Sequence, residues 1–262
     1  MKLSNNFLWK SLKTTILSAI ILFLFLPIII LVIYSFSEKG FPYPIGAATT
    51  SWYITLFNET ELWISFFNSL FIASITSLIC GIMTIFMIIY QFYGGCIKRV
   101  VPLFYSNLVI PETILAISLL SLFSFFELKF GLSTIIIAHT ILGLGLSIPI
   151  IYNRFCDIDK NTIEASYSLG ATKRQTFFKI VLPIMLPTLI TSSIFIFILS
   201  FDDFVLSYFV SSQSTQTISL YLISSLRTGI EPSVNALCLI LLVTTISLFA
   251  IFLKKRRTRY IL

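Results

Sequence analysis

The sequence predicts an all-α integral membrane protein with six transmembrane helices and both termini in the cytoplasm. Three observations predict it. Of the 262 residues, 57% are hydrophobic and only 11% charged, with a mean hydropathy of +0.97; a soluble domain carries about 25% charged residues. The apolar residues gather into runs at 14–36, 66–90, 101–125, 132–152, 187–209 and 235–253, each near the ~20 residues a helix needs to cross a bilayer. Finally, Lys and Arg sort by side. Fifteen of the eighteen fall in the N-terminal arm, the 91–100 loop, the 153–186 interval and the C-terminal tail, leaving Lys39, Lys129 and Arg227 opposite. The positive-inside rule places the rich side in the cytoplasm. The length suits a single membrane domain over residues 1–262 with little left for a soluble module.

The first run follows Lys2, Lys10 and Lys13 and contains Pro27; it is too long for the apolar core of a signal peptide and reads as an uncleaved span. An external loop follows, with Ser51-Trp52-Tyr53 opening a short interfacial helix and Trp63 anchoring the second span, because Trp and Tyr favour the headgroup level. The third span holds Pro111 beside Glu112, and the fourth holds His139, Gly143 and Gly145. The two glycines permit close helix packing. His139, next to Thr140, reads as an internally hydrogen-bonded residue. The fifth span contains Asp202 and Asp203, a second external loop covers 210–234, and the sixth span ends at the basic tail Lys254-Lys255-Arg256-Arg257. The net charge of +7 follows from cytoplasmic loop charge and a tail facing membrane lipid, and calls for no nucleic-acid partner. Cys80, Cys96, Cys156 and Cys238 show no metal spacing and are expected to stay free.

The longest polar interval after the middle of the chain, 153–186, carries its own helix signals. Asn161 and Glu164 have capping-box spacing, Gly170 stands where a C′ glycine ends a short helix, and Thr172 and Gln175 repeat the capping box. Pro183 and Pro187 are expected to kink or end the second helix, so that the fifth span starts near Pro187. A helix of about two turns is too short to stand alone in water and needs a partner.

Within this interval Glu164-Ala165-Ser166, Gly170 and Ile180-Val181-Leu182-Pro183 resemble the EAA loop of ABC-importer permeases, of the form E-A-A-x3-G-x9-I-x-L-P. Both spacings fit without a gap; Ser166 replaces the second alanine. The resemblance implies the type I importer (MetI-like) permease fold in a bacterial cytoplasmic (inner) membrane. It also implies that Glu164, Ala165, Ser166, Gly170, Ile180, Leu182 and Pro183 form the coupling helix and its surroundings, docked on a separate ATPase.

The chemistry left to the chain is passage. No GxxxxGK[ST] loop is present and there is one histidine, so neither a phosphate-cradling loop nor a His-based cluster can be built. No enzyme activity is expected of this chain, and no cofactor; ATP and Mg would be held by the partner ATPase. Glu112, Asp202 and Asp203 lie inside spans, where a charge costs about 2.5–3.5 kcal/mol and marks a functional site by default. Pro111 frees the carbonyl of Asn107, making a cation-friendly spot near Glu112. Phe201, Phe204 and Tyr208 follow an i, i+3, i+7 stripe that would add cation–π contact if it faces the pathway. Each of these has a plainer reading: acids paired with backbone or a partner subunit, and aromatics that only pack.

Further segments resemble the polyamine (spermidine/putrescine) branch of the same permeases: Trp52-Tyr53, Asn68-Ser69-Leu70, Pro111-Glu112 running into Ile117-Ser118-Leu119-Leu120, Ser200-Phe201-Asp202-Asp203-Phe204-Val205, and Gly229-x-x-Pro232-x-x-Asn235-Ala236-Leu237. The likeness spans nearly the whole chain. It departs at Ser211-Ser212-Gln213, where that branch often has Thr-Gly-Pro. It implies a heterodimer with a homologous second permease, two ATPase subunits and an extracytoplasmic substrate-binding protein. The competing readings are the same scaffold for iron, sulfate or a phosphonate-like solute, an ATPase-independent carrier or channel, and a scaffold without transport.

Overall fold

Apolar runs in a bilayer become helices because hydrocarbon offers no partner for backbone N–H and C=O groups. The computed structural model describes residues 2–40, 43–228 and 232–259, and the named elements among them are helical throughout. They are α1 Lys2–Ser35, α2 Ser51–Asn58, α3 Thr60–Phe92, α4 Val101–Val109, α5 Glu112–Phe125, α6 Leu132–Cys156, α7 Lys160–Ser168, α8 Lys173–Thr176, α9 Leu182–Asp202, α10 Val205–Val210, α11 Ile218–Thr228 and α12 Pro232–Arg259. Among the described residues, four helical stretches are long and apolar enough to cross a membrane, Leu12–Ser35, Thr60–Phe92, Leu132–Cys156 and Lys173–Asp202; a bent pair, 97–109 with 112–125, makes five if it counts as one span. The basic residues Lys254-Lys255-Arg256-Arg257 fall within α12, beyond the residues whose side chains are described.

The chain forms two compact units. The first takes in Met1–Thr60 and Leu222–Leu262. Here α1 packs along α12, and α2 packs on α12. The short helix expected at Ser51 is α2, and it is tied back to the end of α1: Trp52 Nε1 donates to the carbonyl of Ser37 at 2.9 Å and the Tyr53 hydroxyl donates to Ser35 Oγ at 3.1 Å. Pro27 lies inside α1 without ending it.

The second unit, Glu61–Tyr221, is built around α6. Some 67% of its apolar window is buried, about twice the share of α3 or of the α8–α9 stretch, and it contributes to all three apolar clusters. One cluster joins Ile72 of α3, Ala116, Leu119 and Phe123 of α5, Ile135 and Ala138 of α6, and Leu206 and Val210 of α10. Gly143 and Gly145 set the approach of the neighbours. A Cβ on Gly143 would stand 2.9 Å from Cys80 Sγ and 3.0 Å from Ile196 Cγ2, and one on Gly145 would stand 2.6 Å from Asn107 Nδ2.

The structure corrects four expectations. The third span is not one helix: the chain turns through 108° at Ile110-Pro111. Neither α4, at about 13 Å, nor α5, at about 21 Å, crosses ~30 Å of hydrocarbon. The fifth span does not start at Pro187. Helix runs from Lys173 to Asp202 through both prolines, because the π segment Phe177–Val181 takes up the irregularity where Pro183 has no N–H to offer. That span also ends earlier, at Asp202 rather than Phe209, with α10 following the break. The loop expected over 210–234 contains a helix, α11. The start of α11 is held by α3: Ser69 Oγ accepts from Ile218 N at 2.8 Å, and Asn68 Nδ2 donates to Gln216 O at 3.0 Å.

Replacing Gly143 by Val should push α6 away from α3 and α9 and destabilise the bundle by about 1–3 kcal/mol. A thermal unfolding scan of the detergent-solubilised protein checks it, with a lowered midpoint expected.

Candidate functional site

Both breaks in the second unit place an acid at a helix start. Pro111 cannot donate and disfavours helix at the residue before it; Ile110 and Pro111 are extended, with ψ of 129° and 131°. The carbonyl of Pro111 then accepts from Ile114 N at 2.9 Å and opens α5. Glu112 is its first residue, where the positive end of the helix dipole favours a carboxylate. At the other break Asp203 is extended, with ψ 125°. Its carboxylate accepts from Ser207 N at 2.9 Å and weakly from Leu206 N at 3.4 Å, capping α10.

Packing of α5 against α10 brings the two acids near each other, close enough for their carboxyl groups to interact. Two carboxylates held near each other repel when both are charged, so the pair favours a cation between them. Asp203 is buried and Glu112 is exposed. Behind Asp203 sits His139, on the unbroken α6 and only 2% exposed. Its Nε2 lies 3.0 Å from Asp203 Oδ2, its Nδ1 lies 2.7 Å from Ser200 Oγ, and Ser207 Oγ is 3.3 Å from Nε2. With Asp203 as acceptor, Nε2–H donates to it and Nδ1 accepts from Ser200; this tautomer follows from the network.

The site residues expected from sequence divide accordingly. Glu112 and Asp203 come near each other; Asp202, the next residue back, is exposed and outside the network. The aromatic stripe is not one face of one helix, because the helix stops at Asp202. Phe201 stacks on Phe197 at 6.1 Å and meets the edge of Phe66 at 5.9 Å, whereas Phe204 packs with Tyr208 at 5.5 Å beyond the break. The carbonyl region at Asn107 is also more than a lost hydrogen bond: the Asn107 side chain donates to Ile141 O of α6 at 2.8 Å. Sequence reasoning took His139 as internally hydrogen-bonded but named neither Ser200 nor Ser207 as a site residue. A lone His in an apolar helix, 64 residues from its acid, has no spacing rule to reveal its partner.

The polar interval forms the expected helix, corner and helix. Its first cap differs: Asp159 Oδ1, not Asn161, accepts the free N–H, and Asn161 lies in the first turn of α7. Gly170 has φ +84°, a left-handed conformation that favours glycine. Ala171 N donates to Ser166 O at 3.0 Å and Gly170 N to Tyr167 O at 2.9 Å, the pair of bonds of a Schellman C-cap. The Thr172–Gln175 capping box is present as expected. Ser166, read as a small-for-small replacement, does more: its hydroxyl bonds the buried Thr176 hydroxyl at 2.8 Å and ties α7 to α8. Below the corner Phe177 and Val181 are buried with Ile88, Ile151 and Met185, and Ile163 packs on the same cluster. Ile180 and Leu182 are half-buried and Pro183 is exposed. Glu164 and Ala165 face outward, and Leu169 at the corner is 88% exposed.

This arrangement of helices is that of importer membrane subunits. The fold superposes with TM-score 0.62, over 95% of this chain and 97% of the other at 15% identity, on a chain from the crystal structure of a bacterial ABC transporter involved in the import of the acidic polysaccharide alginate. It superposes with TM-score 0.51, over 77% and 94% at 21% identity, on a chain of the inward-facing MetNI methionine ABC transporter. Residues 94–260 match the family described as binding-protein-dependent transport system inner membrane component, and the chain belongs to that family. It is a multi-pass permease subunit of the bacterial inner membrane.

Among curated proteins it is 30% identical over 241 residues, covering 90% of this chain and 93% of the relative, to the spermidine/putrescine transport system permease protein PotC of Haemophilus influenzae. It is 31% identical over 229 residues, 84% and 82%, to the putrescine transport system permease protein PotI of Escherichia coli. A PotC homolog of Mycoplasma pneumoniae is 29% identical over 263 residues, 94% and 90%.

Because Asp159 and not Asn161 caps α7, Asp159→Ala should loosen that helix by about 1 kcal/mol, whereas Asn161→Ala should be near neutral. Amide hydrogen exchange across 160–168 checks it: faster exchange is expected in the first variant only.

Proposed function

We propose that this chain is the permease subunit of an ATP-driven importer that moves polyamines such as spermidine and putrescine into the cytoplasm by alternating access. The observation that carries the reading is that two helix breaks, packed together through α5 and α10, each place an acid there, Glu112 and Asp203. A polyamine is a flexible chain of ammonium groups, and a carboxylate pair suits one such group. The exposed Asp202 offers a second charge nearby, and the Phe201 and Phe204–Tyr208 rings offer cation–π faces. The names of the PotC and PotI relatives support the same substrate class.

In this reading the chain crosses the membrane six times with both termini in the cytoplasm, the bent α4–α5 pair and α12 completing the count. It pairs with a homologous permease, two ATPase subunits and an extracytoplasmic binding protein; ATP and Mg belong to the ATPase. The exposed edge of α7, with Glu164, Ala165 and Leu169, docks on the ATPase. Movement there passes through the Ser166–Thr176 bond and the Phe177–Val181 anchor to the bases of α6 and α9. ATP closure opens the joints outward, the binding protein releases substrate, and hydrolysis restores the inward state.

Uptake of labelled spermidine by the reconstituted importer, with unlabelled putrescine, sulfate and iron as competitors, tests the reading. Saturable uptake that putrescine alone inhibits is expected; inhibition only by sulfate or iron, or uptake without ATP, overturns it. Glu112→Gln should raise the KM for spermidine about tenfold, the loss of one charged hydrogen bond. Gly170→Asp, strained at φ +84°, should abolish ATP-driven uptake while the variant still reaches the membrane; normal uptake by it would remove the docking role.

A further inference from the structure

Asp203 is the more buried of the two acids, and two elements donate to it while a third brings the other acid near. Its own next turn supplies Ser207 N–H at 2.9 Å, the α6 imidazole supplies Nε2–H at 3.0 Å, and α5 brings up Glu112. The cap holds both carboxylate oxygens to α10, Oδ2 from Ser207 N and Oδ1 weakly from Leu206 N at 3.4 Å, but every one of these donors moves with α10. The imidazole adds a donor to Oδ2 from a different helix, α6, and so fixes where the capped acid stands relative to the bundle. It is buried, its own Nδ1 is engaged by Ser200 at 2.7 Å on the last turn of α9, and Ser207 Oγ closes the other side at 3.3 Å. His139 therefore touches both sides of the α9–α10 break, Ser200 before it and Asp203 with Ser207 after it.

We propose that His139 is a positioning residue. From the unbroken α6 it holds the broken α9–α10 joint in register and orients the Asp203 carboxylate toward Glu112, so that the two acids present one site to an ammonium group. The assignment rests on the polyamine reading above. In it His139 does not touch substrate. Its Nε2 side serves the acid, and its Nδ1 side, through Ser200, keeps the ring from turning. A histidine that merely filled space would have no need of a particular nitrogen at a particular place.

That asymmetry gives the test. The amide nitrogen of Gln reaches the place of Nε2, while that of Asn reaches only the place of Nδ1. The assembled importer carrying His139→Gln or His139→Asn is compared with wild type for spermidine uptake, with rates normalised to complex in the membrane. His139→Gln should keep the KM within about threefold of wild type, and His139→Asn should raise it about tenfold with maximal rate retained within about twofold, the size of one hydrogen bond to a charged group. Equal KM values for the two variants overturn the proposal, as does failure of both to assemble, which would mark His139 as a packing residue. Ser200→Ala, which leaves the Nε2 contact in place, should raise the KM less than His139→Asn; a larger rise also overturns it. Absence of spermidine uptake by the wild-type complex is a different failure: it removes the polyamine reading, and this inference with it.

Discussion

A carboxylate at a helix break inside a bilayer must find donors from the protein, since the surrounding hydrocarbon supplies none. The second unit is arranged around that requirement at Asp203. Its donors come from the turn it caps and from His139 on α6, and α6 can supply the imidazole because it is itself unbroken through that region and packed on several sides. Glycines at 143 and 145 let α3, α4 and α9 come close enough to hold it there. The two broken stretches, α4–α5 and α9–α10, then lean on one continuous helix. Irregular backbone at membrane depth is tolerated where protein or a wet cavity meets it, and here the irregular points coincide with the acids.

The polar interval solves a different problem with local devices. A nine-residue polar helix has little stability of its own. It is capped by Asp159 at one end and closed by a Schellman turn at Gly170 at the other. The Ser166–Thr176 hydroxyl pair then fixes the angle between α7 and α8, and Phe177 and Val181 root the corner in an apolar cluster with Ile88, Ile151 and Met185. The π segment sits at this root, where a regular helix would otherwise meet Pro183. The result is an outward-facing edge with an exposed leucine, joined by short, satisfied contacts to α3, α6 and α9.

The sequence by itself determined the solvent, the class and the local punctuation. Hydropathy identified a bilayer protein, Gly170 and the Thr172–Gln175 box marked the corner correctly, and Glu164 to Pro183 carried the family. These features are legible because each depends on residues a few positions apart. The 108° turn at Pro111 was not legible, because proline kinks some membrane helices and breaks others according to what its neighbours can satisfy. Nor could the prolines after the corner announce that a π segment would carry helix through them.

Which residues meet was decided only by the tertiary structure. In a soluble helix the polar face shows which side looks inward, but in a bilayer the lipid-facing and bundle-facing sides are both apolar, so periodicity says little about facing. The aromatics at 201, 204 and 208 therefore looked like one stripe until the break at Asp203 separated them. Glu112, His139 and Asp203 come from distant helices. Packing against α6 assembled them, and no spacing along the chain encodes that packing.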